Sequence, residues 1–217
     1  MIRHILFDLD STLYSVLCGF EERLTTRARE FVSLFLGLPM EESDLLRNEG
    51  LNRYGNTIGW LTHEKGFLDK AAFFAYVYPE EEIALLESSP GLRPFLESMP
   101  CPCSILTNSP AFHAHRVIIK LGLEGFFKQV FDIEANGLRG KPHPSTYRQA
   151  LDVLGHKAEE VLFVDDSPRN VSAYISLGGI GLLLDERDIH KDYPHERIKN
   201  LFEMEAFPKH QFLEKQP

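Results

Sequence analysis

Two aspartates one residue apart, Asp8 and Asp10, close the apolar run that opens "ILFDLDSTLY". Each raises the cost of ionising the other, so either they form a polar turn ending a buried strand or a cation belongs between them. A carboxylate in such a place can serve as a nucleophile, and a protonated neighbour can donate to a leaving group. Three more polar clusters follow apolar runs or precede helical ones. In "ILTNSP", Thr107 and Asn108 offer a hydroxyl and backbone N–H groups near a helix start, which suit a phosphate oxygen; ordinary helix capping explains them equally well. In "RGKPHP", Lys141 sits in a proline-stiffened loop, either as a solvated lysine or as an ammonium that neutralises a transferring phosphoryl group. In "VLFVDDSPRN", Asp165 and Asp166 end a strongly apolar run and make a hard-oxygen pair suited to Mg²⁺, where capping would require only one acid. Each cluster has a purely structural explanation by itself. Their common placement at strand ends points to one site.

The elements that must position them are short. Apolar, partly β-branched runs in "HILFDLD", "CSILTNS", "QVFDIEA" and "EVLFVDDS", with a fifth in "GIGLLLDE", read as strands buried on both faces of a parallel sheet. Between them, "AFHAHRVIIKLG" and "PSTYRQALDVLG" carry helical periodicity and stop at Gly122 and Gly155. Alternation of strand and helix predicts an α/β fold, a doubly wound parallel sheet. Ligands of such sheets collect at the carboxyl ends of the strands, where all four clusters fall. The interval from residue 15 to 86 has no convincing strand and three helical stretches, so a small helical insert is expected after the first strand. The expected division is a core of residues 1–14 and 87–217 and an insert of residues 15–86. The tail from about Asp188 is polar and is expected to be peripheral.

Composition narrows the classes. A net charge of −9 disfavours a broad nucleic-acid surface, while leaving room for cations concentrated in one pocket. "MIRHILFDLD" reaches acidic residues too early for a signal peptide, and no apolar run approaches the ~20 residues of a membrane span. Three cysteines, Cys18, Cys101 and Cys103, make no disulfide framework, so a reducing cytoplasm is expected. His113 and His115 are two apart on a helical run and do not share a face, which argues against a metal pair. Gly178, Gly179 and Gly181 precede a strand, which is the wrong context for dinucleotide binding.

The order Asp-x-Asp-x-Thr, Thr, Lys, Asp-Asp resembles the haloacid dehalogenase-like hydrolase superfamily across residues 7–170, and the insert resembles its helical cap. "DSTLY", "LTNS" and "GKPHP" look like the pyrimidine 5′-nucleotidase branch, with Ser11 in place of that branch's common Asn. The resemblance implies a Mg²⁺-dependent phosphomonoester hydrolase. In it Asp8 attacks phosphorus, and Asp10, retaining a proton beside the ionised Asp8, serves as acid and then base. Thr107 and the Asn108 backbone hold phosphoryl oxygens, while Lys141 pairs with Asp8 and the phosphate. Mg²⁺ is held by Asp8, the Asp10 carbonyl and Asp166, with Asp165 direct or through water. Asp10 favours a phosphoester over the superfamily's dehalogenases, which lack it.

The implied substrate is a small phosphorylated metabolite, foremost a pyrimidine nucleoside 5′-monophosphate, handled by a monomer or homodimer. A phosphosugar or phosphoglycolate phosphatase, a phosphomutase and a non-catalytic binding module are the alternatives. In the insert, Arg53, Tyr54 and Trp60 of "NRYGNTIGWLTHEKG" are the candidates for contacting a base, with Gly55, Gly59 and Gly66 bending the chain to present the rings. Packing between helices is the competing role for Tyr54 and Trp60.

Overall fold

The computed structural model describes residues 1–87 and 89–206. Its centre is a parallel sheet of β1 (His4–Phe7), β2 (Cys103–Leu106), β3 (Val130–Phe131), β4 (Val161–Asp165), β5 (Ile180–Leu184) and β6 (Arg197–Ile198). The spatial order is β3-β2-β1-β4-β5-β6. β1, β2 and β4 are buried at every position, which is why they read as unbroken apolar runs. The chain builds one wing from β1 through β2 to β3, then returns to place β4 on the other side of β1. That reversal opens a crevice beyond the carboxyl end of β1.

Between β1 and β2 lie α1 (Phe20–Leu36), α2 (Met40–Tyr54), α3 (Thr57–Lys65) and α4 (Lys70–Val77), as the helical reading of the insert expects, and then, beyond the insert, the short α5 (Leu92–Glu97). The later helices are α6 (Ala111–Lys120), α7 (Pro144–Leu154) and α8 (Pro168–Ser176). α7 stops at Gly155, whose φ of 70° closes the helix in the left-handed region. α6 ends a residue before its expected stop, with Leu121 as the cap and Gly122 just beyond. Gly178, with φ 85°, follows α8 and leads into β5, so the late glycines are turn and strand-entry residues. No helix among the described residues is long and apolar enough to cross a membrane. Cys18, Cys101 and Cys103 form no disulfide.

Two expectations need correction. The segment from Asp188 is not wholly peripheral: β6 pairs with β5, and Leu201 and Met204 are buried in the core. Residues 207–217 lie outside the described part. Gly59, expected to bend the chain, lies inside α3, which is capped by the Asn56 side chain accepting from the Gly59 N–H at 2.7 Å. Gly55 and Gly66 do turn the chain, at φ 79° and 71°. Gly59 serves close approach: a Cβ there would stand 2.2 Å from the Leu138 carbonyl oxygen.

Candidate active site

β1 ends at Phe7, so the next residues leave the sheet at the crevice. Asp8 is buried, and its Oδ1 accepts from the Leu9 N–H at 2.7 Å. Ser11 takes a left-handed φ of 56°, folding the loop back so that its hydroxyl donates to Glu21 on α1. At the end of β2, the Thr107 hydroxyl accepts from the Ser109 N–H at 3.0 Å and lies 3.5 Å from Asp10 Oδ2. At the end of β4, Asp165 is wholly buried while Asp166 is half-buried.

Lys141 joins these strand ends. Its Nζ lies 2.7 Å from Asp8 Oδ1 and 2.6 Å from Asp165 Oδ2, with only 1% of the side chain exposed. Burial alone would push this ammonium toward the neutral form, but Asp165 and Asp8 outweigh it and hold the pKa above its ordinary value. The lysine is fixed from behind by Asn108. The Lys141 N–H donates to Asn108 Oδ1 at 2.7 Å, and Asn108 Nδ2 donates back to the Lys141 carbonyl at 2.9 Å. The same Nδ2 reaches the Gly55 carbonyl at 3.3 Å, tying the end of α2 to the lysine loop. Arg169 adds a second tie, donating to the carbonyls of Leu51 and Asn52.

Asp10 differs sharply from Asp8. Its Oδ1 accepts from the Tyr14 hydroxyl at 2.8 Å and lies 3.2 Å from His113 Nε2, while Ser109 Oγ donates to Oδ2. Burial pushes the Asp10 pKa up, yet the charge of His113 and the hydrogen bonds from His113, Ser109 and Tyr14 outweigh it. The carboxyl is therefore held below its ordinary range, contrary to the expectation that it retains a proton at rest. Asp8 shows the reverse. Burial lifts it well above the usual carboxylate range against the pull of Lys141, with Asp165, Asp166 and Asp10 adding to the lift. Asp166 is pushed up to about 8 by burial, Asp165 and Glu21.

One carboxylate oxygen from each of Asp8, Asp165 and Asp166 falls within a 4.8 Å span. Such a set of hard oxygens, strained by burial and mutual repulsion, fits a divalent cation. Asp8 and Asp166 face the cavity, whereas Asp165 is occupied by Lys141, the Ser167 N–H at 2.8 Å and Asn170 Nδ2 at 3.0 Å. The Asp10 side chain turns toward His113 rather than into this cluster.

The cavity over this edge measures about 260 Å³. Its floor carries Asp8, Asp10, Thr107, Lys141 and Asp166, and its walls come from α1 to α4. Arg53, Tyr54 and Trp60 do not line it. Trp60 is fully buried, its ring seated where a Cβ on Gly50 would stand 2.3 Å away, and its Nε1 donates to Glu64. Arg53 pairs with Glu64 at 2.9 Å, and Tyr54 stacks on His63. Sequence reasoning missed Tyr14, Ser109 and His113 around Asp10, and Arg47 and Glu21 in the wall. Tyr14 stands four residues from Asp10 and Ser109 two from Thr107, the only signals available for them. His113 was weighed only for pairing with His115, which is exposed.

The profile of the haloacid dehalogenase-like hydrolases matches residues 2–178. The chain belongs to that family. It is 29% identical over 181 residues to a glyceraldehyde 3-phosphate phosphatase of Methanocaldococcus jannaschii, covering 76% of this chain and 77% of that protein. It is also 29% identical over 120 residues to a phosphoglycolate phosphatase of Neisseria gonorrhoeae, covering 55% of this chain and 47% of that one. Among solved structures, an HAD phosphatase from Thermococcus onnurineus superimposes with TM-score 0.65 at 20% identity, over 95% of this chain and 97% of that one. The L-2-haloacid dehalogenase of Xanthobacter autotrophicus gives TM-score 0.62 at 18% identity, over 95% and 98% of the two chains. Likenesses at these identities establish the fold, which phosphatases and dehalogenases share.

Proposed function

We propose that the protein is a phosphomonoesterase that hydrolyses a small phosphorylated metabolite through an aspartyl-phosphate on Asp8. The observation that carries this reading is the buried Lys141 ammonium, 2.7 Å from Asp8, beside a second, separately hydrogen-bonded carboxylate on Asp10. Phosphoryl transfer asks for in-line positioning and charge neutralisation, and these groups supply both. Lys141 neutralises phosphoryl oxygens and pulls Asp8 toward the ionised form against its burial, and Asp165 holds Lys141 in place. Thr107 and the Asn108 N–H bind phosphoryl oxygens.

Asp8 and Asp166 would hold Mg²⁺, with the Asp10 carbonyl and Asp165 as further candidates. When bound, the ion supplies charge neutralisation at the phosphoryl oxygens. Asp10 rests as a carboxylate. Arrival of a phosphate dianion beside it raises its proton affinity, so it can take up the proton that it gives to the leaving oxygen. It then receives a proton from the water that opens the aspartyl-phosphate. The helices of residues 15–86 act as a cap that closes water out over a core whose described residues are 1–14, 87 and 89–206.

For the substrate, a phosphosugar- or phosphoglycolate-like ester is favoured over a pyrimidine nucleotide. None of Arg53, Tyr54 and Trp60 faces the cavity, whose volume lies just below the roughly 300–1,000 Å³ usual for ligand pockets. The names of the Methanocaldococcus and Neisseria relatives point the same way. A phosphate-release screen over glyceraldehyde 3-phosphate, 2-phosphoglycolate, UMP and CMP, with and without Mg²⁺, tests this. Mg²⁺-dependent release from the short esters supports the reading, and preference for UMP or CMP would reverse the substrate assignment.

A further inference from the structure

Arg47, on α2, lines the cavity together with the floor residues Asp8 and Lys141. Its Nε donates to the Thr57 hydroxyl at 3.0 Å, a neutral partner. Among the described residues it has no acidic partner within ion-pair distance. The acid one turn away on the same helix, Asp44, is engaged by Arg29, which reaches it through both Nε and Nη2. Lys141 is consumed by Asp8 and Asp165, so Arg47 is the cavity-lining cation left without a carboxylate. Burial pushes its pKa down, yet a guanidinium remains ionised at any working pH. Asp44 acts on the Arg47 charge without pairing with it, so an anion entering the cavity would supply the close counter-charge that this half-buried cation lacks.

The rest of the wall narrows the ligand. Leu24, Ala28, Ile58, Phe73 and Val77 are apolar and suit a short carbon chain. Glu21 accepts from the Ser11 hydroxyl, and Thr57 accepts from Arg47, so both of these wall groups are already engaged within the protein. Arg47 lines the same cavity as Asp8 and Asp10, so an ester that fills it can meet the guanidinium and the reacting carboxylates together. A carboxylate matches the two Nη groups that Thr57 leaves open.

We propose that Arg47 binds a carboxylate on the substrate, so that the preferred ester is a short phosphorylated acid rather than the corresponding aldehyde or alcohol. This rests on the phosphomonoesterase reading and decides within it. Three compounds that differ only at the carbon far from phosphate provide the test: 3-phosphoglycerate, glyceraldehyde 3-phosphate and glycerol 3-phosphate. Wild-type kcat/KM is expected to favour the acid over the alcohol by roughly 10- to 100-fold, as for a hydrogen-bonded charge pair. Arg47→Gln should collapse that ratio toward one, mainly through KM, and Arg47→Lys should restore part of it. A ratio near one in the wild type, or a ratio that Arg47→Gln leaves intact, overturns the proposal.

Calorimetry of the acid and the alcohol with Mg²⁺ on Asp8→Asn protein, with and without Arg47→Gln, separates the two claims. Arg47-dependent preference for the acid without turnover of any ester by the wild type would keep this inference and remove the phosphatase reading. Turnover whose ratios ignore Arg47 would do the reverse. Absence of both turnover and Arg47-dependent binding would overturn both.

Discussion

Replacing Lys141 by methionine removes the ammonium that bridges Asp8 at 2.7 Å and Asp165 at 2.6 Å while keeping most of the buried volume. Both carboxylates are then left buried without their cation. Removing one partner of a buried pair typically costs about 3–5 kcal/mol, a large share of the ~5–15 kcal/mol stability of an ordinary domain. Asp165 keeps the Ser167 N–H and Asn170, and Asp8 keeps the Leu9 N–H, so the lower part of that range is expected. The loss must depend on pH. Asp8 is already lifted by burial, and without Lys141 it is lifted further. A carboxyl whose folded pKa lies above its unfolded value contributes stability at low pH and loses it as pH rises through the folded pKa.

Lys141→Met should therefore be destabilised by about 3 kcal/mol near pH 8 and by less near pH 5.5, since protonation of the lifted Asp8 relieves the unpaired charge. Urea unfolding of wild type and variant at the two pH values, without Mg²⁺, measures this. Asp165→Asn, which leaves Lys141 one partner, serves if the methionine variant does not fold. A loss below ~1 kcal/mol near pH 8, or an equal loss at both values, would refute the view that Lys141 offsets the buried carboxylates.

Asp10→Asn should cut turnover of alkyl phosphates by roughly 10²–10⁴-fold and of p-nitrophenyl phosphate much less, because an activated leaving group needs little protonation. Parallel rate measurements check this, and equal losses would count against the acid role. Asp166, pushed up to about 8, must lose its proton before a cation can bind. Without Mg²⁺ its contribution to stability is present near pH 4 and is lost as pH rises toward 8. The thermal shift given by Mg²⁺ should accordingly grow between about pH 6 and pH 8, and a shift that is flat or shrinks would contradict the proposed ligand set.

The parts of the molecule legible in the sequence are those fixed by local pattern. Both-face burial makes β1, β2 and β4 continuous apolar runs, and the residue after each run had to stand at the sheet's carboxyl edge. The shared edge of Asp8, Thr107 and Asp166 followed from that topology, whereas Lys141 reaches it from the loop between β3 and α7. β6 was invisible because it is two residues, Arg197 and Ile198, in a polar setting and at the sheet's edge. Trp60 looked available as a stacking ring because the space for it is made by Gly50, a contact between two helices that no single segment reveals. The partners of Asp10 were hidden for the same reason: Ser109 and His113 arrive from 99 and 103 residues away. Arg47 went unnoticed because its significance lies in a close ion pair that Asp44 makes with Arg29 instead, which sequence cannot display.

The chemistry itself is decided by where the phosphoryl group rests between the two half-reactions. Rapid acid quench of the protein during turnover of p-nitrophenyl phosphate with Mg²⁺, followed by peptide mass spectrometry, reads that directly. One added phosphoryl group on Asp8, lost on base treatment and absent from Asp8→Asn, is the predicted result. Sustained turnover by Asp8→Asn, or a phosphoryl group found on another residue, would contradict it.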